Sequence, residues 1–307
     1  MNMLLRSTYL IFVASLVISC ATNPYAATNK IHKKQSKLLT DQLNTFPTEQ
    51  PEGEALLPYG EHWAGTTNFN LRKPNFVILH HTAQDSLAQT LTTFTKVPTQ
   101  VSAHYVIGKN GEIYQMLNDY YRAWHAGAGK WGNTTDLNSA SLGIELDNNG
   151  FEPFSPLQIN SLIKLLKVLK ERYNIPAANF IGHSDIAPGR KVDPNPKFPW
   201  KLLAEEGFGL WYDEIEVPVI VLDGRPKTGN LNIPVVTEGN IVPEPTESDL
   251  ATTSVDPKMA LRIIGYDTSN MEAAIKAFKL HFIQSEVNGE LNAMDLLILE
   301  NLYKKYM

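Results

Sequence analysis

Between residues 51 and 210 short apolar runs alternate with helical stripes, and this alternation constrains the fold more than any other feature of the chain. Phe76-Val77-Ile78-Leu79 is a continuous apolar run of strand length. Asp85 is a candidate helix cap ahead of Leu87, Leu91 and Phe94, which share one face. His104-Tyr105-Val106-Ile107 and Ile113-Tyr114-Gln115-Met116 flank Lys109-Asn110-Gly111-Glu112. That is a hairpin pattern, with Asn-Gly supplying the positive φ of a tight turn. Leu142-Gly143-Ile144-Glu145-Leu146 reads as a further strand. Ser155-Pro156 opens a helix with proline at its first position, and Ile159, Leu162, Ile163, Leu166 and Leu169 form its apolar stripe. Phe180-Ile181 is a last short strand that ends at His183. The expected fold class is α/β, a mixed central sheet flanked by helices.

The 307 residues leave room for more than this domain. From residue 251 to 307, Leu261, Ile263 and Ile264 form one apolar group. Ala274, Ile275, Phe278 and Phe282 form a second, and Leu296, Leu297, Leu299, Leu302 and Tyr303 a third. The spacing predicts a small three-helix domain. Residues 211–250 lie between the two. From Asp213 to Leu250 there are five prolines and eight acids against two bases, the composition of a linker or irregular lobe, with Val217 to Leu222 a strand candidate inside it. Hydrophobic residues make up 43% and charged residues 19%, ordinary values for a globular chain. The net charge of −5 gives no basic excess to recruit nucleic acid.

The N-terminus reads as a targeting segment. Arg6 precedes an apolar stretch from Tyr9 to Ile18, too short to span a membrane with both flanks. Residues 1–19 are therefore expected to be a signal peptide. Cys20 is the single cysteine, so no internal disulfide is available. Val17-Ile18-Ser19-Cys20 resembles the bacterial lipoprotein signal, in which the cysteine is acylated and becomes residue one. That resemblance implies a firm lipid anchor at Cys20. With Ala21 following, it also implies a periplasm-facing outer-membrane lipoprotein. Residues 20–50 hold Thr, Asn, Lys, Gln and Pro with no sustained period and are expected to be a tether. Lys30, Lys33, Lys34 and Lys37 within it read as a solvated spacer.

Four segments hold the polar residues of interest, two at the ends of apolar strands, one within an apolar strand and one in a rigid proline-bounded loop. They are Ile78-Leu79-His80-His81-Thr82, Ser141-Leu142-Gly143-Ile144-Glu145, Gly182-His183-Ser184-Asp185, and Pro188-Gly189-Arg190-Lys191-Val192-Asp193-Pro194. Strand ends are where α/β sheets present side chains to ligands. A catalytic zinc takes three protein ligands and keeps one position open. Two imidazoles and a carboxylate suit it, a second carboxylate can carry a proton, and a cation can face a developing oxyanion. His80, His183, Asp193, Glu145 and Lys191 match these five roles by type. Their spacing satisfies no compact motif, and isolated histidines are more often structural, so the residues alone leave a metal site open.

Longer stretches carry a resemblance. They are Ile78 to Ala83, Val101-Ser102-Ala103-His104-Tyr105-Val106-Ile107, Ala123-Trp124-His125-Ala126-Gly127, Ser141 to Leu146, and Gly182 to Pro194. In this order, over about residues 75–200, the chain resembles the zinc amidases of the peptidoglycan-recognition and phage-lysozyme amidase superfamily. These enzymes cut the bond between N-acetylmuramic acid and L-alanine in peptidoglycan. The resemblance implies Zn2+ on His80, His183 and Asp193, Glu145 as proton carrier and Lys191 as oxyanion donor, with peptidoglycan or muropeptides as partner. Several members carry a catalytic Tyr just before the position of His104, whereas Ala103 stands here and leaves Glu145 as the proton carrier. His104, Trp124 and His125 are expected at the substrate, with buried support for His104 and core packing for Trp124 as competing roles. His81, next to a ligand on a strand, points the other way and reads as structural. Asp185 and Arg190 are expected to hold the ligand loop, and Trp131, Tyr120 and Tyr121 to be groove rim or plain surface. The C-terminal helices resemble a peptidoglycan-binding module. Two other functions fit the same residues: a recognition protein that binds muropeptide without cutting, and a zinc peptidase acting within the stem peptide. The recognition proteins lack the ligand at the position of Asp193.

Overall fold

The structure is a computed structural model that describes residues 23–43, 68, 71–215 and 255–306. The expected signal peptide, Cys20 and the strand candidate at 217–222 lie outside the described residues. The chain divides into two units, Met1–Asn70 and Leu71–Met307. In the first, Ala26–Leu43 forms helix α1, where a tether without regular structure was expected. None of its residues is buried. Its Ala, Lys, Gln and Leu residues lose little freedom on entering a helix. A helix with no buried face also has no need of the apolar stripe that would have marked it.

The second unit is built on a five-stranded sheet. Its strands are β1 (Phe76–His81), β2 (Tyr105–Ile107), β3 (Ile113–Gln115), β4 (Ser141–Leu146) and β5 (Phe180–Gly182). The order across the sheet is β3-β2-β4-β1-β5. β2, β4, β1 and β5 run parallel, and β3 pairs antiparallel with β2 through the expected hairpin. Gly111 takes φ +86° in its turn. Helix α2 (Leu87–Thr95) is capped by Ser86 rather than by Asp85. Ser86 Oγ accepts the Gln89 N–H, and Gln89 Oε1 accepts the Asp85 N–H in return, so one Ser-x-x-Gln pattern satisfies two free donors. The short helix α3 (Leu137–Ala140) leads into β4. Helix α4 (Pro156–Tyr173) buries Ile159, Leu162, Leu166 and Leu169 as its stripe requires, with Ile163 at the margin. Short helices α5 (His183–Ile186) and α6 (Trp200–Glu205) follow β5.

Strand alternation divides the sheet's side chains between two cores. Val77, Leu79, Leu142, Ile144 and Leu146 pack with the stripe of α4. Phe76, Ile78 and Ile181 face the other way. There they meet the C-terminal helices α7 (Pro257–Ile264), α8 (Met271–Phe278, continued by a π turn over Lys279–Ile283) and α9 (Ala293–Tyr306) through Leu261, Ala274, Phe278 and Leu302. The three expected helices are present, and their core is continuous with that of the sheet. Each large apolar side chain so buried contributes about 1.5–3 kcal/mol, so this face is a main source of stability.

A buried polar cluster fastens the same two parts together. Asp185 in α5 is fully buried. Its Oδ1 accepts the Tyr266 hydroxyl at 2.7 Å. Its Oδ2 accepts the Gly182 N–H at 2.7 Å and the Nδ1–H of His281 at 2.8 Å. The His281 ring stacks on Trp200 with centroids 3.8 Å apart. Asp185 thus holds the β5–α5 turn to the C-terminal helices. Tyr266→Phe removes one donor from a buried carboxylate and is expected to lower the unfolding free energy by about 2 kcal/mol. Thermal and denaturant unfolding would measure it, and an unchanged midpoint would mean that the bond adds nothing to stability.

Candidate metal centre and active site

The parallel strands end at one edge of the sheet, and the polar residues singled out in the sequence lie there. In the β1–β4 ladder His80 pairs with Glu145, and in the β1–β5 ladder Leu79 pairs with Gly182, the residue before His183. Alternation puts His80 on the face of Phe76 and Ile78, and Glu145 on the face of Ser141 and Gly143. β4 thus offers small or polar residues to one side and Leu142, Ile144 and Leu146 to the other. The loop after α5 returns Asp193 to the same place, because the Ser184 N–H donates to the Asp193 carbonyl at 2.8 Å.

Three ligand-type atoms converge. His80 Nδ1 lies 2.9 Å from His183 Nδ1 and 3.0 Å from Asp193 Oδ2, and His183 Nδ1 is 3.0 Å from the same oxygen. All three residues are buried. His183 Nε2 faces the Ala126 carbonyl at 3.0 Å and so carries a proton, which in the neutral tautomer leaves Nδ1 bare. Burial, together with the neighbouring His183, lowers the His80 pKa to about 4, against the pull of Asp193. Burial alone would raise the Asp193 carboxyl, but the hydrogen bonds and charge of His183 and His80 hold it well below the usual carboxylate range. Two imidazoles and an ionised carboxylate, aimed at one another away from water, form a donor set that a metal ion satisfies.

Glu145 stands beside this group almost fully buried, and its Oε2 has no hydrogen-bond partner among the described residues. Burial raises its pKa to about 8, with the Asp193 charge adding to the rise and Lys191 opposing it. Lys191 is half-buried. Its charge is felt at both His80 and Glu145, yet no hydrogen bond or ion pair within the described residues engages its ammonium. An orphaned acceptor and an unengaged cation flank a buried donor triad, as attack on a carbonyl group requires.

The residues expected at the substrate divide. Trp124 is 50% exposed, and its hydrogen bonds run through its backbone, the N–H donating to Ser102 Oγ at 2.9 Å and the carbonyl accepting the Ser102 N–H at 3.0 Å, so its ring is open to a ligand. His104 is fully buried. Its Nδ1 accepts the Gly143 N–H and its Nε2 faces the Tyr121 carbonyl, both at 3.0 Å. With neither nitrogen free, His104 fills the role of buried support, a strut between strands. His125 is also buried, with Nδ1 at 3.1 Å from His80 Nε2 and Nε2 at 3.3 Å from Ser141 Oγ. Both its ring nitrogens are turned to protein partners, and it supports the site from beneath. Trp131, expected at the groove rim or on plain surface, instead packs its buried ring against Tyr266 with centroids 5.0 Å apart. His81 has the structural role expected of it, accepting the Asn195 N–H at 3.0 Å just beyond Asp193. Arg190 donates to the carbonyls of Ala126 and Ala128 and steadies the loop before Asp193. The sequence assigned no role to the side chains of Ser141, Asn138, Tyr266 and His281. Each is a common residue type, and its task is visible only when distant segments meet.

Comparison with known proteins agrees with this geometry. The family described as N-acetylmuramoyl-L-alanine amidase matches residues 70–196. The N-acetylmuramoyl-L-alanine amidase AmiD of Escherichia coli is 37% identical over 248 residues, covering 75% of this chain and 82% of the relative. The 1,6-anhydro-N-acetylmuramyl-L-alanine amidase AmpD of Haemophilus influenzae is 40% identical over 103 residues, 33% of this chain and 56% of the relative. Among solved structures, E. coli AmiD in complex with anhydro-N-acetylmuramic acid-L-Ala-D-gamma-Glu-L-Lys superposes with a TM-score of 0.60 at 32% identity, covering 84% of this chain and 97% of that one. AMPDH3 from Pseudomonas aeruginosa in complex with anhydromuramic pentapeptide gives 0.59 at 29% identity, covering 82% and 99%. By sequence, by fold and by the buried triad at its strand ends, the chain belongs to the N-acetylmuramoyl-L-alanine amidase family.

Proposed function

We propose that this protein is a zinc amidase that hydrolyses the bond between the lactyl group of N-acetylmuramic acid, or its anhydro form, and the L-alanine of the stem peptide. The convergence of His80, His183 and Asp193 beside the orphaned carboxylate of Glu145 carries the reading. These three residues would hold Zn2+. The bound ion would polarise the scissile carbonyl, lower the pKa of water and, by its charge, draw Glu145 toward its ionised form. Glu145 takes the proton of the attacking water and delivers it to the nitrogen of the leaving alanine. Lys191 faces the oxygen on which negative charge develops. Trp124 offers a flat ring on which a sugar face can stack. The carboxylate at position 193 is present, which disfavours binding without cleavage.

Digestion of purified muropeptides, read by mass spectrometry with and without a chelator, tests the reaction. Intact stem peptide released from the lactyl group, and its loss on chelation, is the expected result. Cleavage between amino acids would make the protein a peptidase, and absence of product with zinc present would make it a recognition protein. Glu145→Ala is expected to keep stoichiometric zinc by elemental analysis and lose at least about a hundredfold in turnover. Normal turnover would remove Glu145 from the mechanism.

The raised pKa of Glu145 also has a sign in stability. A carboxyl group that titrates at about 8 in the fold, against an ordinary 4.5, binds its proton more tightly folded than unfolded. The metal-free protein therefore loses stability as pH climbs through that window. Glu145→Gln cannot ionise, so its stability relative to the parent is expected to improve from pH 5 to pH 8. A pH-independent difference between the two metal-free proteins would contradict the burial argument.

We further propose, from the sequence at Val17 to Cys20, that the protein is anchored by lipid on Cys20 to the outer membrane and faces the periplasm. Among the described residues no helix is long and apolar enough to cross a membrane. Cys20→Ala is expected to move the protein from the membrane fraction to the soluble one, and an unchanged distribution would refute the anchor.

A further inference from the structure

We propose that His125 and Ser141 are positioning residues that hold His80 in the one tautomer able to offer Nδ1 to a metal ion. The inference rests on the metal-centre reading above. Its direction is set at a fixed end. The Leu137 carbonyl can only accept, so the Ser141 hydroxyl, 2.5 Å away, donates to it. Ser141 Oγ then has only lone pairs for His125 Nε2 at 3.3 Å, and that contact requires Nε2–H. A neutral imidazole carries one proton, so His125 Nδ1 is bare. It accepts from His80 Nε2 at 3.1 Å, which must bring its own proton. His80 Nδ1 is left unprotonated and faces His183 Nδ1 and Asp193 Oδ2.

The surroundings are built for this ring. Gly143 lies beneath it on β4, and a Cβ there would come within 2.4 Å of His125 Cγ, so only glycine lets the imidazole rest on the strand. Asn138 Oδ1 accepts the backbone N–H groups of both His125 and Ala126, at 3.0 and 2.9 Å. That pins a two-residue segment with a double task. Its first residue accepts from His80 Nε2, and the carbonyl of its second accepts from His183 Nε2. One short stretch of chain thereby selects the Nδ1-ligating tautomer of both imidazoles.

Zinc affinity by chelator competition tests the chain of bonds, with unfolding midpoints to show that each variant is folded. His125→Leu removes the acceptor and is expected to weaken zinc binding 10–100-fold, the usual effect of losing such a partner. His125→Asn, whose side-chain carbonyl replaces Nδ1 as acceptor, is expected to recover most of that loss. Parent-like affinity in folded His125→Leu, or no recovery by His125→Asn, would overturn the assignment. Long-range 1H–15N spectra of the zinc-loaded parent provide a reading free of variants. A proton on Nε2 and none on Nδ1 of His125 is expected, and the reverse would overturn the proposal. His183→Ala serves as control: if it retained zinc, the metal-centre reading itself would fail, while the His125 spectrum would still decide the tautomer chain.

Discussion

Three acceptor atoms aimed at one another in a buried place repel unless a cation or shared protons lie among them. Much of the second unit counters that repulsion. Parallel pairing of β1 with β4 and β5 brings His80, Glu145 and the turn to His183 together at one sheet edge. The bond from Ser184 N–H to the Asp193 carbonyl, with His81 gripping Asn195, closes the loop that carries the third ligand. None of these contacts reacts, yet each limits how far the donors can separate. A metal ion requires its ligands placed to a fraction of an ångström.

The C-terminal helices belong to the same support. Their apolar residues share a core with β1 and β5 on the face where His80 projects. Tyr266 and His281 reach the buried carboxylate of Asp185, which in turn holds the Gly182 N–H one residue before His183. A helical module that served only to hold glycan would need no such bonds to the ligand turn. These helices therefore brace the candidate metal centre, whatever they also contact outside.

Much of the architecture was legible in the sequence, for local reasons. β1 is buried on both faces and reads as an unbroken apolar run, and α4 is buried on one side and reads as a stripe. His80 and His183 stood out as polar residues placed just where apolar strands stop, and Asp193 as an acid in a proline-bounded loop. Helix α1 was missed because nothing packs on it to impose a pattern. The partners of the His104 and His125 rings were not legible, because a histidine beside a reactive segment has the same letter whether it faces solvent or a neighbouring backbone.

By itself the sequence determined the elements, the α/β class and the residue types offered at strand ends, because periodicity and turn chemistry act over a few positions. Only the tertiary structure decided the order β4-β1-β5, the meeting of His80 with Asp193, and the partners that occupy each ring nitrogen of His104 and His125. The physical reason is one of range. Strand pairing and imidazole tautomers depend on hydrogen bonds between residues far apart in the chain, and no local pattern encodes which carbonyl a distant ring will meet.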